Sequence, residues 1–320
     1  MNDVVSVLQR CGGSARFAEL RKVISPWAIR QALQRGQIRR VSKGVYALPD
    51  SVASDLTVAR AYGGVLSRES AALHHGFEVV TRPLVPHVTI KRTQMRRVTD
   101  LACILHSSGL PLFDGSAPDL AAHAGRPLEF GRPSLTGWAG EVTSPVATVM
   151  DCARYLPFGE ALAIADAAIR SGKVERTTLR RMAATVRGAG RQRVIRVARE
   201  ADGRSESALE SMLRARVIDA GFTGFVPQHQ IRGRDFAARV DLADPVLRIS
   251  LEADSFAFHG TRAALRRDCR RHVGLAMCGW LLLRYSWEDV ILDEDWVGRS
   301  LLAVAELPHA HLQNSLLAAG

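Results

Sequence analysis

The chain of 320 residues has no apolar run near the ~18 residues that a membrane span needs, which excludes a transmembrane helix. Cysteine is scarce: five residues, at 11, 103, 152, 269 and 278, with no CxxC pair. An odd, scattered set of that kind excludes a disulfide framework and a thiolate zinc site. The N-terminus lacks the charged-then-apolar order of a secretory signal. These absences lead us to expect a reduced, cytoplasmic protein without a membrane partner. With 47% hydrophobic and 23% charged residues, the chain has the composition of a globular protein of two or three domains.

Acidic residues are also in deficit, 32 against 43 basic, of which only four are lysine. The excess is local. Residues 1–50 carry nine basic and three acidic side chains, and residues 170–200 carry ten and two. Residues 51–169 and 201–320 are close to balance, at ten against eleven and fourteen against sixteen. Two separate basic clusters point to contact with a polyanion, with DNA the expected partner.

The first cluster has a readable architecture. Helices are expected over 3–11, 17–23 and 26–35, the last opened by Ser25-Pro26 and stopped by Gly36. Ile29, Ala32 and Leu33 fall on one face of that third helix and Arg30, Gln31, Gln34 and Arg35 on the other. Two short strands, 38–41 and 45–48, flank the turn Ser42-Lys43-Gly44. Three helices and a hairpin are the order of a winged helix-turn-helix. Arg30, Gln31, Gln34 and Arg35 would reach base edges and phosphates, with Arg39, Arg40 and Lys43 along the backbone. The segment "SPWAIRQALQRGQIRRVSKGVYALP" resembles the N-terminal winged helix of AbiEi-type antitoxins over about 50 residues.

Residues 51–200 read as a connecting α/β body: a helix from Ser67, strands near 87–90 and 102–106, and helices over 147–155 and 158–171. His74-His75 reads as a helix-end pair, because adjacent side chains cannot chelate from one helix face. Gly125–Pro133 reads as a loop, and Asp151 and Arg154 as a local ion pair. The basic linker 170–200 is expected to form helix, glycine turn and helix, with Arg193 and Arg196 presented to phosphates.

Residues 201–308 carry the chemistry, with 309–320 a tail. A helix from Ser207 is followed by strands near 225–231, 238–242 and 247–254, a helix over 262–278 and a strand over 280–285. This αβββαβ order is the core of the restriction-endonuclease-like fold. Asp241 and Glu252 sit on neighbouring strands, where their oxygens suit a hard divalent cation, Mg²⁺ or Mn²⁺, that activates water against a phosphodiester. The stretch from "SALESMLR" to "LLLRYSWEDV" resembles the very-short-patch-repair (Vsr)-like branch of the PD-(D/E)XK nucleases over about 85 residues. The resemblance implies metal ligation by Asp241 and Glu252, a helix acid at Glu210, and Asp254 in place of the superfamily lysine. It implies a general acid or base at His259, supporting roles for Asp268 and Arg271, and a strand glutamine at Gln228 or Gln230. Ser255 departs from the glycine usual in this branch. The whole is thus expected to be an α+β and α/β multidomain chain with a winged helix, a mixed body and a nuclease core. Two functions follow: a metal-dependent DNA endonuclease, or an antitoxin-like DNA-binding regulator whose silent nuclease fold serves homodimerisation or docking, with a cognate toxin as partner.

Overall fold

The structure, a computed structural model, describes residues 3–91, 101–108, 142–254 and 262–306. It is a mixed α/β, multidomain chain with thirteen helices and three small sheets among the described residues. No helix among them is long and apolar enough to cross a membrane. His259, Ser255, the 125–133 loop and the 309–320 tail lie outside the described residues. The backbone separates into two compact units, Met1–Tyr155 with Thr177–Ala189, and Leu156–Arg176 with Gly190–Gly320. The division runs through the expected 51–200 body.

The first unit begins with α1 (Val4–Arg10), β1 (Ser14–Arg16), α2 (Phe17–Leu20), α3 (Pro26–Gln34), β2 (Arg39–Ser42) and β3 (Val45–Ala47). Asp3 caps α1, and Ser25 Oγ accepts from the Ala28 N–H to start α3 beside Pro26. The strands form an antiparallel sheet in the order β1-β3-β2. Val4, Leu8, Leu20, Ile24, Ile29, Ala32 and Ile38 fill the space beneath it. Leu33, expected in that core, is instead 36% exposed. At 3.6 residues per turn the buried stripe of α3 is narrow enough to be filled by Ile29 and Ala32 alone.

Two elements went unforeseen here, β1 and α4 (Asp55–Tyr62). From Thr57 to Tyr62 every α4 residue is buried, including Arg60 at 0% exposure. Its guanidinium donates to the carbonyls of Cys11 (2.9 Å) and Ser14 and to Ser14 Oγ (2.6 Å), tying α4 to the turn after α1. A second sheet follows, β4 (Val65–Leu66), β5 (His87–Lys91) and β6 (Ile104–Ser108), with α5 (Arg68–His74) and α6 (Pro145–Tyr155) packed together. His74 ends α5 and His75 caps it, with His75 Nε2 2.7 Å from the Thr143 carbonyl. Arg154 does not make the expected pair with Asp151 its main contact; it donates to the carbonyls of Arg187 and Ala189.

The basic linker forms α8 (Arg176–Thr185) and α9 (Arg191–Glu200) around a glycine turn. In the second unit α7 (Phe158–Arg170) is buried over most of its length and packs on α10 (Ala208–Asp219). β7 (Val226–Arg232), β8 (Ala237–Asp244), β9 (Ile249–Asp254) and β10 (Leu281–Ser286) form one sheet in the order β10-β9-β8-β7. β7, β8 and β9 are antiparallel neighbours, and β10 returns parallel to β9 through α11 (Arg262–Met277). A parallel return needs such a crossover helix. α12 (Trp287–Ile291) and α13 (Trp296–Ala305) close the unit. Asp244 is the last residue of β8, and its Oδ1 accepts from the N–H groups of Val246 (2.9 Å) and Leu247 (3.0 Å), which turns the chain into β9.

Candidate functional site

Register places one polar row across the second unit's sheet. The pairs Pro227–Leu242 and His229–Val240 set Gln228 opposite Asp241. The β8–β9 ladder reaches Leu242–Leu251, one position before Asp241 and Glu252, and β10 sets Arg284 beside Glu252. Gln228, Asp241, Glu252 and Arg284 therefore follow one another over four strands. The adjoining row, Leu242 and Leu251, is 1% and 0% exposed. Burial of that row fixes the strand register and with it the face on which the carboxylates lie.

Asp241 is the most perturbed member. Burial pushes its carboxyl up to about 7, the charges of Glu210 and Glu252 push the same way, and the Ala253 N–H and Arg271 pull against them. That N–H reaches Asp241 Oδ2 at 3.0 Å. A carboxyl raised by burial and by two like charges ionises more readily when a cation stands beside it. Glu252 is buried, and Arg271 on α11 donates to its Oε1 from Nε (2.9 Å) and from Nη2. Arg284 holds Asp254 through two hydrogen bonds of 2.7 and 3.0 Å, with Glu252 Oε2 3.9 Å from its Nε. Asp268 adds its charge to the surroundings of Arg284.

Glu210 enters from α10, where it is first a helix-capping residue. Its N–H donates to Ser207 Oγ (3.1 Å), and its carboxylate accepts from Ser207 Oγ (3.2 Å) and the Glu206 N–H (2.8 Å). Gln228 Nε2 donates to the same carboxylate at 2.8 Å, whereas Gln230 accepts from Arg232. Geometry thus joins Gln228 to the acids and leaves Gln230 outside. Gln228 also has φ +53°, a left-handed conformation that a non-glycine residue holds at a cost of about 1–3 kcal/mol.

Among the described residues no group of three or more His, Cys, Asp or Glu side chains is placed to hold a metal ion. Asp241 and Glu252 do fit the lighter requirement of Mg²⁺, which commonly takes one or two carboxylates and completes its shell with water and phosphate oxygens. The donor set is all oxygen and anionic, as a hard cation prefers.

The other expected residues divide. Arg30, Gln34, Arg35, Arg39, Arg40 and Lys43 are exposed on α3 and the β2–β3 hairpin, and Gln31 is half-buried, 3.3 Å from Gln34. Arg193 faces solvent on α9. Arg196 is paired with Asp219 and lies 3.7 Å over the Phe158 ring, within the second unit.

One polar cluster was missed. In the first unit Glu69 Oε2 lies 3.7 Å from His87 Nδ1, which is 3.1 Å from His106 Nε2. Burial lowers the His106 ring to about 4 and raises the Asp151 carboxyl to about 6, and Arg68, at φ +51°, acts on both. These residues span 84 positions without a spacing motif, so only the β5–β6 pairing and the α5–α6 packing reveal them.

No family model matches the chain. It is 37% identical over 153 residues to the uncharacterized proteins Rv2248 and MT2308 of two Mycobacterium tuberculosis strains, covering 46% of this chain and 55% of each relative. The chain spans about half the length of these curated relatives. A crystal structure of the RV2827C protein from Mycobacterium tuberculosis aligns at 16% identity and TM-score 0.32, over 63% of this chain and 77% of that one.

Proposed function

We propose that the chain is a DNA-binding, divalent-metal-dependent endonuclease. The observation that carries this reading is the meeting of Asp241 with Glu210 and Glu252, and the Asp241 carboxyl raised to about 7 by burial and by their charges. On this reading residues 201–308 are a nuclease core and Asp241 and Glu252 hold Mg²⁺ or Mn²⁺. Held there, such an ion would supply Lewis acidity to the scissile phosphate and to an attacking water. Arg271 fixes the Glu252 carboxylate, and Gln228 aligns Glu210 with the row. His259 is the proposed proton donor or acceptor beside the phosphate. The module of α1–α3 and the β2–β3 hairpin is read as a winged helix that docks double-stranded DNA. Its exposed Arg30, Arg35, Arg39, Arg40 and Lys43 support that role.

A second reading is favoured by one feature: Arg271 and Arg284 already neutralise Glu252 and Asp254. The domain would then be a silent nuclease fold on a DNA-binding regulator. Supercoiled plasmid separates the two. The endonuclease nicks it with Mg²⁺ or Mn²⁺ but not with EDTA, and Asp241→Ala abolishes nicking while binding DNA as tightly as the parent. Salt-sensitive DNA binding with no nicking in either metal establishes the regulator.

A further inference from the structure

The turn between β7 and β8 lies against the outer side of α11, and the groove between them encloses about 730 Å³. Arg232 at the end of β7, Arg234 from the turn and Arg270 from the helix line it, with Asp235 as the one acid among them, above a floor of Phe236, Val273 and Met277. Val273 is 57% and Met277 83% exposed, unusual for apolar side chains sharing one groove. The polar row described above does not use any of these seven residues.

Close approach by two glycines shapes the groove. A Cβ on Gly274 would come within 2.3 Å of the Phe236 ring, so only glycine lets the aromatic slide beneath the helix. A Cβ on Gly233 would meet Cys278 Sγ at 2.6 Å, and the Gly233 N–H donates to the Phe236 carbonyl at 2.7 Å, closing the turn. Exposed Arg262 and Arg266 continue the positive line at four-residue spacing toward the start of α11. This charge runs against its surroundings, because residues 201–320 hold more acidic than basic side chains, sixteen against fourteen.

We infer that this groove binds unpaired nucleic acid, with phosphates on Arg232, Arg234 and Arg270 and a base on the floor of Phe236, Val273 and Met277. The argument is one of matching chemistry. A duplex offers phosphates but keeps its base faces stacked inside, leaving the apolar floor uncovered. An acidic peptide brings charge without a flat apolar face. An unpaired nucleotide brings both, and aromatic and guanidinium surfaces are what bases stack on. The inference rests on the nucleic-acid reading of the preceding section but concerns a different surface from α3 and its hairpin.

Fluorescence anisotropy of the full chain tests it with a labelled single strand, the same strand with abasic positions, and the duplex. The variants are Arg234→Ala/Arg270→Ala and Met277→Glu, all at exposed positions. Single-strand affinity is expected to fall at least about tenfold in both variants, and the abasic strand to bind the parent chain more weakly. Duplex affinity is expected to change by less than about twofold, since it depends on the first unit. Unchanged single-strand affinity in both variants overturns the inference, as does equal competition by the abasic strand or by polyglutamate. If the duplex binds and the single strand does not, the groove reading alone fails. Loss of duplex binding with variant-sensitive single-strand binding removes the α3 reading and keeps the groove.

Discussion

Asp241→Asn is expected to be more stable than the parent chain at pH 8 and inactive in metal-dependent cleavage. The carboxyl of Asp241 titrates near 7 in the folded chain, well above the ordinary range of an unfolded aspartate at about 3.9. Between about pH 4 and 7 the folded state therefore keeps a proton that the unfolded state has lost. Stability must fall as pH rises through that window, and the cost is complete above it. One pKa unit is about 1.4 kcal/mol, which sets a ceiling of about 4 kcal/mol; water and counter-ions reaching the row bring it to about 2 kcal/mol. Asparagine keeps the acceptor for the Ala253 N–H and removes the charge. Urea denaturation at pH 5 and pH 8 checks this: the variant's gain should be clearly larger at the higher pH, since only about a third of the cost has accrued at pH 5. An Asn variant no more stable than the parent at pH 8 contradicts the electrostatic account of the row. Strongly raised carboxyls of this kind cluster at functional sites.

The second large effect is expected at Asp166, far from any sequence motif. It sits on α7 with no exposed surface and accepts from the Asp202 N–H (2.7 Å) and Ser211 Oγ (2.8 Å). Arg214 Nη2 donates to both of its oxygens at 2.9 and 2.7 Å, and Arg214 Nη1 reaches the Glu200 carbonyl at 2.7 Å. One buried ion pair thus joins α7, the end of α9 and α10. Asp166→Ala leaves a buried guanidinium without its counter-charge, which costs about 3–5 kcal/mol. Hydrogen exchange in α7 and α10 is expected to accelerate accordingly. Replacing both partners with apolar residues, Asp166→Leu with Arg214→Met, should recover most of the loss, because no charge is then stranded. A loss below about 1 kcal/mol in Asp166→Ala contradicts the role assigned to the pair. Since α10 carries Glu210, the same change should also loosen the polar row.

Much of this architecture was legible because its segments follow simple periods. Ser25-Pro26 and Ser207 start helices as capping chemistry predicts, and Asp241 and Glu252 fall on adjacent strands because alternation sets their face. Where burial erases the period, the reading fails. α4 is buried from Thr57 to Tyr62 and so shows no polar face, and its Arg60 looks like a surface cation. β1 has three residues, too few to alternate. Choosing between Gln228 and Gln230 needed the register, because both lie on one strand two positions apart and only the first meets Glu210. The contacts of Arg196 with Asp219 and Phe158 were not legible because neither residue is near it in sequence.

The central claim is that Asp241 and Glu252 take a divalent cation. Calorimetric titration of Mn²⁺ tests it most directly, using the full chain, Asp241→Ala and Glu252→Gln at pH 8 and pH 6. The account predicts one binding event in the parent chain that both variants lose, with more protons released at pH 6, where Asp241 must give up its own. Absence of Mn²⁺ binding in the parent chain, or equal binding in both variants, would contradict it and leave the silent, DNA-binding reading in its place.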